Sequence, residues 1–170
     1  MSIKSFITLV FCCFLAMLSP LKALDHASTS SIAESANLDK VKLEMTFFDG
    51  KSFDLKKGNQ NATLVIFWVK WCGICKKQLR DLEDIYSDLK QKNIEIIGLS
   101  IDKNSDIAEA KEIVKNYSFA NGHLSEVKVF KGFEVPRSIP TIYFLDSKQK
   151  IIKIAKGRIS KDEIKAIFKI

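Results

Sequence analysis

Leu64-Val65-Ile66-Phe67-Trp68-Val69-Lys70-Trp71-Cys72-Gly73-Ile74-Cys75-Lys76-Lys77 is the stretch on which the reading of this chain turns. Its first six residues are continuously apolar, the mark of a strand buried on both faces. Beyond Cys75, the apolar residues Leu79, Leu82, Ile85 and Leu89 recur at helical spacing, with Arg80, Asp81, Glu83 and Asp84 on the opposite face. A strand therefore delivers two cysteines, two residues apart, to the start of a helix. That spacing sets Cys72 at the N-terminus and Cys75 one turn in, close enough to bridge. A helix N-terminus carries partial positive charge and unsatisfied N–H groups, and both stabilise a thiolate, the reactive form of cysteine. Cys72 reads as the attacking sulfur and Cys75 as the resolving one in thiol–disulfide exchange.

Upstream of this stretch, Val41 to Phe47 alternates apolar and polar residues, Asp49-Gly50 is a turn signal, and Ser52 to Leu55 returns as a second strand. Lys57 to Asn61 is a loop. Ile94 to Ser100 is another buried strand, and Ile107, Ala110, Ile113, Val114 and Tyr117 mark a second helix. Ser118 to Pro136 reads as irregular, with short apolar pieces around Leu124 and Val127 to Phe133. Thr141 to Leu145 and Ile151 to Ala155 are antiparallel strands joined by a turn. A final helix begins with the capping pair Ser160 and Glu163 and buries Ile164, Ile167 and Phe168. The order is hairpin, β, α, β, α, β, β, α, with no repeat and no second domain. It predicts an α/β fold: a mixed central sheet flanked by helices, led by an N-terminal β-hairpin.

The first residues stand apart. Met1 to Ala23 holds one early charge, Lys4, then an apolar run from Phe6 to Leu18, then Ser19-Pro20-Leu21-Lys22-Ala23. That is the order of regions in a secretory signal, and the thirteen apolar-rich residues are few for a membrane span. Leu21 is imperfect at the −3 position for cleavage after Ala23, so an uncleaved membrane anchor is the alternative. Residues 24–40 are polar and Ser/Ala-rich and read as a flexible spacer, leaving 41–170 as one domain. Cys12 and Cys13 fall in the apolar run and read as small hydrophobes lost with the signal. The mature chain keeps Cys72 and Cys75 alone, and an exported protein with one close pair uses it for exchange, not stapling. Without Lys4 and Lys22 the 27 cations become 25, against 20 acids, a net charge of +5. A mild excess of this kind is a solvated surface. No Arg-rich arm or zinc-finger spacing accompanies it, which argues against a nucleic-acid partner.

The second half of the site is Ile139-Pro140-Thr141, at the entrance to a buried strand. Proline is tolerated at a strand's first residue, and an X-Pro bond in a tight turn is where cis peptides occur. With Pro140 standing 65 residues after Cys75, the two motifs resemble the thioredoxin superfamily, whose hallmarks are Trp-Cys-x-x-Cys at a helix start and a cis-Pro loop of the form Ile/Val-Pro-Thr. The resemblance runs from Val41 to the C-terminus. The signal, the hairpin ending in Asp-Gly-Lys, Phe67-Trp68 before the site, and the extra helix from Ser105 to Tyr117 are similar to the exported TlpA/ResA/DsbE branch. That resemblance implies a periplasmic or otherwise extracytoplasmic thiol-disulfide oxidoreductase with no dissolved cofactor. Its partners would be disulfide-containing client proteins and a membrane thiol reductase as electron donor, with cytochrome c maturation as a service. It also implies that the Ile139 main chain pairs with the incoming client; Trp71, beside Cys72, reads as covering the thiol surface, and Thr141 joins these two as a candidate client contact.

Several positions depart from the family pattern. Where thioredoxin has a buried Asp six residues before the first cysteine, this chain has Ile66. Where some relatives carry a Glu after the following strand, Lys103 stands, and the neighbouring Asp102 is the candidate proton acceptor for Cys75, set against a plain turn-capping role. Thr141 replaces the acid that follows the cis-Pro in dedicated haem-maturation members. Lys70, Lys76 and Lys77 flank the cysteines and are expected to favour the Cys72 thiolate. Trp68, Phe67, Phe130 and Phe133 read as core, and Arg137 as surface near the cis-Pro loop. His26 in the spacer and His123 in a loop read as solvated, so a metal centre on the cysteines lacks ligands. The rival readings are a disulfide oxidase or isomerase, and a copper-delivery or metal-binding module on the same fold.

Overall fold

Strand β3, Ala62–Trp68, is buried at all seven positions. Alternate side chains on a strand point to opposite faces, so β3 feeds two cores. Leu64, Ile66 and Trp68 join one, and Val65 and Phe67 join the other. The computed structural model describes residues 40–170. The signal or anchor reading of 1–23, nearly all of the spacer, Cys12, Cys13 and His26 lie outside the described residues.

Around β3 the chain forms strands β1 Lys42–Phe47, β2 Ser52–Asp54, β4 Ile94–Ser100, β5 Ala120–Lys131, β6 Thr141–Asp146 and β7 Ile151–Lys156. The helices are α1 Gly73–Gln91, α2 Ile107–Val114 and α3 Lys161–Phe168, with a short 3-10 turn, Asn104–Asp106, leading into α2. One sheet holds all seven strands in the order β2-β1-β5-β4-β3-β6-β7. β3, β4 and β5 run parallel, while the β1–β2, β1–β5, β3–β6 and β6–β7 pairs are antiparallel. This is the mixed α/β sheet with a leading hairpin that the pattern predicts, a thioredoxin-like fold.

The helices supply the first core. Leu79, Leu82 and Leu89 of α1 pack there with Ala110 and Val114 of α2 and Ile164 of α3. Each fully buried leucine contributes roughly 1.5–3 kcal/mol, so this apolar stripe, more than local propensity, fixes α1 on the sheet. The capping box of α3 forms as expected: the Ser160 hydroxyl accepts from the Glu163 amide, and the Glu163 carboxylate accepts from the Ser160 amide. Ile164 is fully buried, whereas Ile167 and Phe168 are half-buried. The second core is aromatic. Phe67 lies edge-on to Phe130, Phe133 and Tyr143 at centroid distances of 6.1, 6.3 and 5.5 Å.

One element overturns the sequence reading. Much of the segment from Ser118 to Pro136, expected to be irregular, is the twelve-residue strand β5. Its start pairs parallel with β4 and most of its length pairs antiparallel with β1, whose register shifts twice along the contact. No single alternation of apolar and polar residues survives on such a strand. Gly122 sits where β1 approaches: a Cβ there would run into the Met45 methyl and meet the Thr46 carbonyl at 3.2 Å. Through β5 the hairpin becomes a continuous extension of the central sheet.

Candidate active site

β3 ends at Trp68, and the short loop Val69-Lys70-Trp71 leads to α1. Cys72 is the N-cap of α1, and its sulfur accepts the Cys75 amide at 3.1 Å. The Cys72 carbonyl accepts from Lys76 N–H at 3.1 Å, and the Cys72 amide donates to the Val69 carbonyl at 3.2 Å. Cys72 and Cys75 are joined as a disulfide, Cα to Cα 5.2 Å. Cys72 keeps 7% of its surface exposed and Cys75 none. The helix therefore directs an N–H group at the sulfur that solvent and a partner can reach. No acidic residue stands in the first turn of α1. Trp71, next to Cys72, is 72% exposed, while Trp68 is fully buried beneath the site.

The loop before Cys72 is anchored by the end of β4. Both carboxylate oxygens of Asp102 accept from the Lys70 amide, at 3.0 and 2.9 Å. The Ser100 hydroxyl donates to the same carboxylate at 2.8 Å, and Ile101 N–H donates to the Trp68 carbonyl at 3.0 Å. Asp102 thus caps the chain leading into the cysteines and not the turn that follows it. On its far side, the Asp102 carbonyl lies 2.9 Å from His123 Nε2. A carbonyl only accepts, and Ser125 N–H donates to His123 Nδ1 at 3.0 Å, so the ring carries its proton on Nε2. This corrects the expectation for His123. It is 2% exposed on β5, not solvated in a loop, and its ring supports the residue that holds the active-site loop.

Lys70 also departs from expectation. Its ammonium pairs with Asp106 at 3.2 Å and Glu109 at 2.9 Å, and the Glu109 and Asp106 carboxylates hold its pKa above the ordinary lysine value. Of the three lysines expected to bias Cys72, Lys70 is thus engaged with α2 and its approach, while Lys76 and Lys77 carry no ion pair among the described residues.

The cis-Pro loop joins the same edge. Thr141 of β6 pairs with Phe67 of β3 in antiparallel register, so continuing that register sets Pro140 level with Trp68 and Ile139 level with Val69. The Ile139–Pro140 peptide is cis. Ile139 packs against the core cluster that contains Cys72 and Cys75. The buried Thr141 donates its hydroxyl to the Ser138 carbonyl at 2.7 Å, and the Pro140 carbonyl accepts from Gly157 at 2.8 Å. The Thr141 side chain is therefore buried beneath the loop and closes it, and is not at its surface. Trp71 and Ile139, together with Val69, Ile101, Pro136 and Arg137, line a groove beside the cysteines.

Gln78 is a residue of the site that the sequence reading passes over. It is fully buried on α1, one turn beyond Cys75, and its Oε1 accepts from Ile159 N–H at 2.8 Å. It ties the segment before α3 to the active-site helix. The signal is present: Gln78 falls on the buried stripe beside Cys75 and Leu79, where a polar side chain needs partners; its Oε1 has one, while its buried Nε2 has none among the described residues. As to metals, no group of three or more His, Cys, Asp or Glu is placed to hold an ion among the described residues, and both ring nitrogens of His123 are engaged.

Comparison with known proteins agrees with this geometry. The profile of the AhpC/TSA family matches residues 38–154. The thiol-disulfide oxidoreductase ResA of Bacillus thuringiensis subsp. konkukian (strain 97-27) is 30% identical over 130 residues, covering 74% of this chain and 72% of the relative. Among solved structures, StoA of Bacillus subtilis superposes with a TM-score of 0.60 at 21% identity, over 77% of this chain and 98% of that one. The pneumococcal exposed lipoprotein thioredoxin Etrx1 of Streptococcus pneumoniae strain TIGR4 superposes with a TM-score of 0.60 at 22% identity, over 76% and 99%.

Proposed function

The chain belongs to the AhpC/TSA family and is a thiol-disulfide oxidoreductase of the ResA kind, and from that premise we propose that it reduces the disulfides of client proteins outside the cytoplasm. The observation that carries the reading is the asymmetry of the pair: Cys72 keeps a small exposed edge, with a helix amide on its sulfur, and Cys75 is fully enclosed one turn behind it. In the dithiol form, the Cys72 thiolate attacks one sulfur of a client disulfide. A mixed disulfide forms and the first client thiolate leaves. Cys75, deprotonated, then attacks the Cys72 sulfur. The second client thiol departs, and two electrons have passed to the client as Cys72–Cys75 closes.

Ile139 presents its main chain to the client strand in this scheme, with Trp71 lying across the client residue next to the reacting cysteine. Pro140 shapes the loop, and Thr141 closes it from below. Asp102 enters as a positioning residue through Lys70, its oxygens already engaged. The domain at 41–170 does the chemistry, while residues 1–23 direct export, as signal or anchor. Among the described residues no helix is long and apolar enough to cross a membrane. Electrons return to the pair from a membrane thiol reductase, and cytochrome c precursors are among the clients this reading includes.

The reductant reading is tested by equilibrating the full chain with glutathione buffers of graded ratio and counting free thiols. A reductant's pair stays oxidised until the buffer is strongly reducing. A pair that persists as dithiol in oxidising buffer belongs to an oxidase, and would overturn the direction proposed here.

A further inference from the structure

The groove beside the cysteines, about 460 Å³, has an apolar floor that includes Val69, Ile101 and Ile139, with Trp71 along it. Its charged groups are not equivalent. The Asp102 carboxylate is engaged by the Lys70 amide and the Ser100 hydroxyl, and Asp106 is paired with the Lys70 ammonium. Lys103 and Arg137 line the same groove, are exposed, and enter no ion pair among the described residues. The charged side chains lining the groove that enter no ion pair among the described residues are thus cationic. The N-terminus of α1 adds its positive end, with no acid in its first turn to offset it.

We propose that this groove selects its clients by charge: it takes an extended segment in which an apolar residue next to the reacting cysteine packs on Trp71 and Ile139, and an acidic residue nearby meets Lys103 and Arg137. The inference rests on the thiol-disulfide exchange proposed above and names the class of segment that site prefers. Charges at the rim of a binding surface act mainly on encounter and discrimination, and they fade with salt. Arg137 suits a carboxylate through its planar fork, and Lys103 acts as a mobile point charge.

The test uses three peptides, each closed by one disulfide with leucine beside the first cysteine, flanked by Asp-Glu, Gln-Gln or Lys-Lys. The rate constant at which each oxidises the reduced full-length protein is measured by stopped flow. At low salt the acidic peptide is expected to react about tenfold faster than the basic one, the scale of a few exposed ion pairs. That ratio should fall toward unity in 1 M salt. Lys103→Glu with Arg137→Glu should invert the preference, and Lys103→Gln with Arg137→Gln should abolish it. Lys148→Glu with Lys150→Glu, an equal change in net charge in the β6–β7 turn, should leave it intact. Equal rates for acidic and basic peptides in the unaltered protein would overturn the proposal, as would an equal loss of preference in the Lys148/Lys150 control. If no peptide oxidises the reduced protein, the exchange reading itself fails, an outcome distinct from exchange without preference.

Discussion

The cysteine half of the site is held by side chains reaching in from other strands, whereas the cis-proline half is held mainly by its own main chain. Asp102 accepts from the Lys70 amide across 32 residues, and His123 supports Asp102 from 21 residues further on. In the proline loop, the Thr141 hydroxyl reaches back only three residues to Ser138, and Gly157 meets Pro140 through main-chain atoms. The contrast locates the fragility of the site. A buried polar group removed from the first half orphans its partners, and an orphaned donor costs more than the bond it made. The second half has little that a single side-chain change can remove.

The largest effect is expected from Asp102→Ala, which strands the Lys70 amide and the Ser100 hydroxyl. Urea unfolding of the oxidised protein should show a loss of about 3 kcal/mol, and insulin-disulfide reduction should slow as the loop before Cys72 loosens. Asp102→Asn sharpens the point. A pH–rate profile of wild-type shape, with stability alone reduced, fits a positioning residue. A displaced profile would make Asp102 the proton acceptor for Cys75. His123→Ala comes next, at about 2 kcal/mol, since it leaves the Asp102 carbonyl without its donor and opens space behind β5. If the unfolding curve of His123→Ala overlays wild type, the support from β5 is dispensable.

Thr141→Val keeps the shape of the cis-proline half and removes one hydroxyl, so a loss of about 1 kcal/mol is expected. A loss as large as that of Asp102→Ala would erase the contrast between the halves. The smallest change is Lys70→Met. It deletes an ammonium paired at the surface but leaves the amide that Asp102 holds. The urea midpoint should move less than for Thr141→Val, and the shift should shrink further at high salt, where the pair is already screened in the unaltered protein. A shift rivalling Asp102→Ala would mean that the ion pair, and not the amide, holds the loop.

What is legible in the sequence is encoded at short range. The cysteines, the helical stripe of Leu79, Leu82 and Leu89, the capping box at Ser160 and the Ile139–Pro140 entry each depend on residues a few positions apart, so local pattern alone places them. The links that complete the site depend on strand order. Nothing near Lys70 announces Asp102 as its partner, because β3 and β4 become neighbours only in the sheet. His123 reads as a solvated loop residue because β5 does not read as a strand: its bent course, shared between β4 and β1, breaks the alternation that marks an ordinary one. Gln78 lies on a stripe that packing already explains, and that stripe hides its polar end.

Cys72 and Cys75 divide the exchange between them, and trapping of mixed disulfides separates the two roles. Cys75→Ser, reduced and offered oxidised client protein, is expected to accumulate a covalent complex through Cys72, visible on a non-reducing gel and released by dithiothreitol. Cys72→Ser should accumulate none, because Cys75 is enclosed. Equal trapping by the two variants, or trapping by Cys72→Ser alone, would show that Cys72 is not the attacking sulfur.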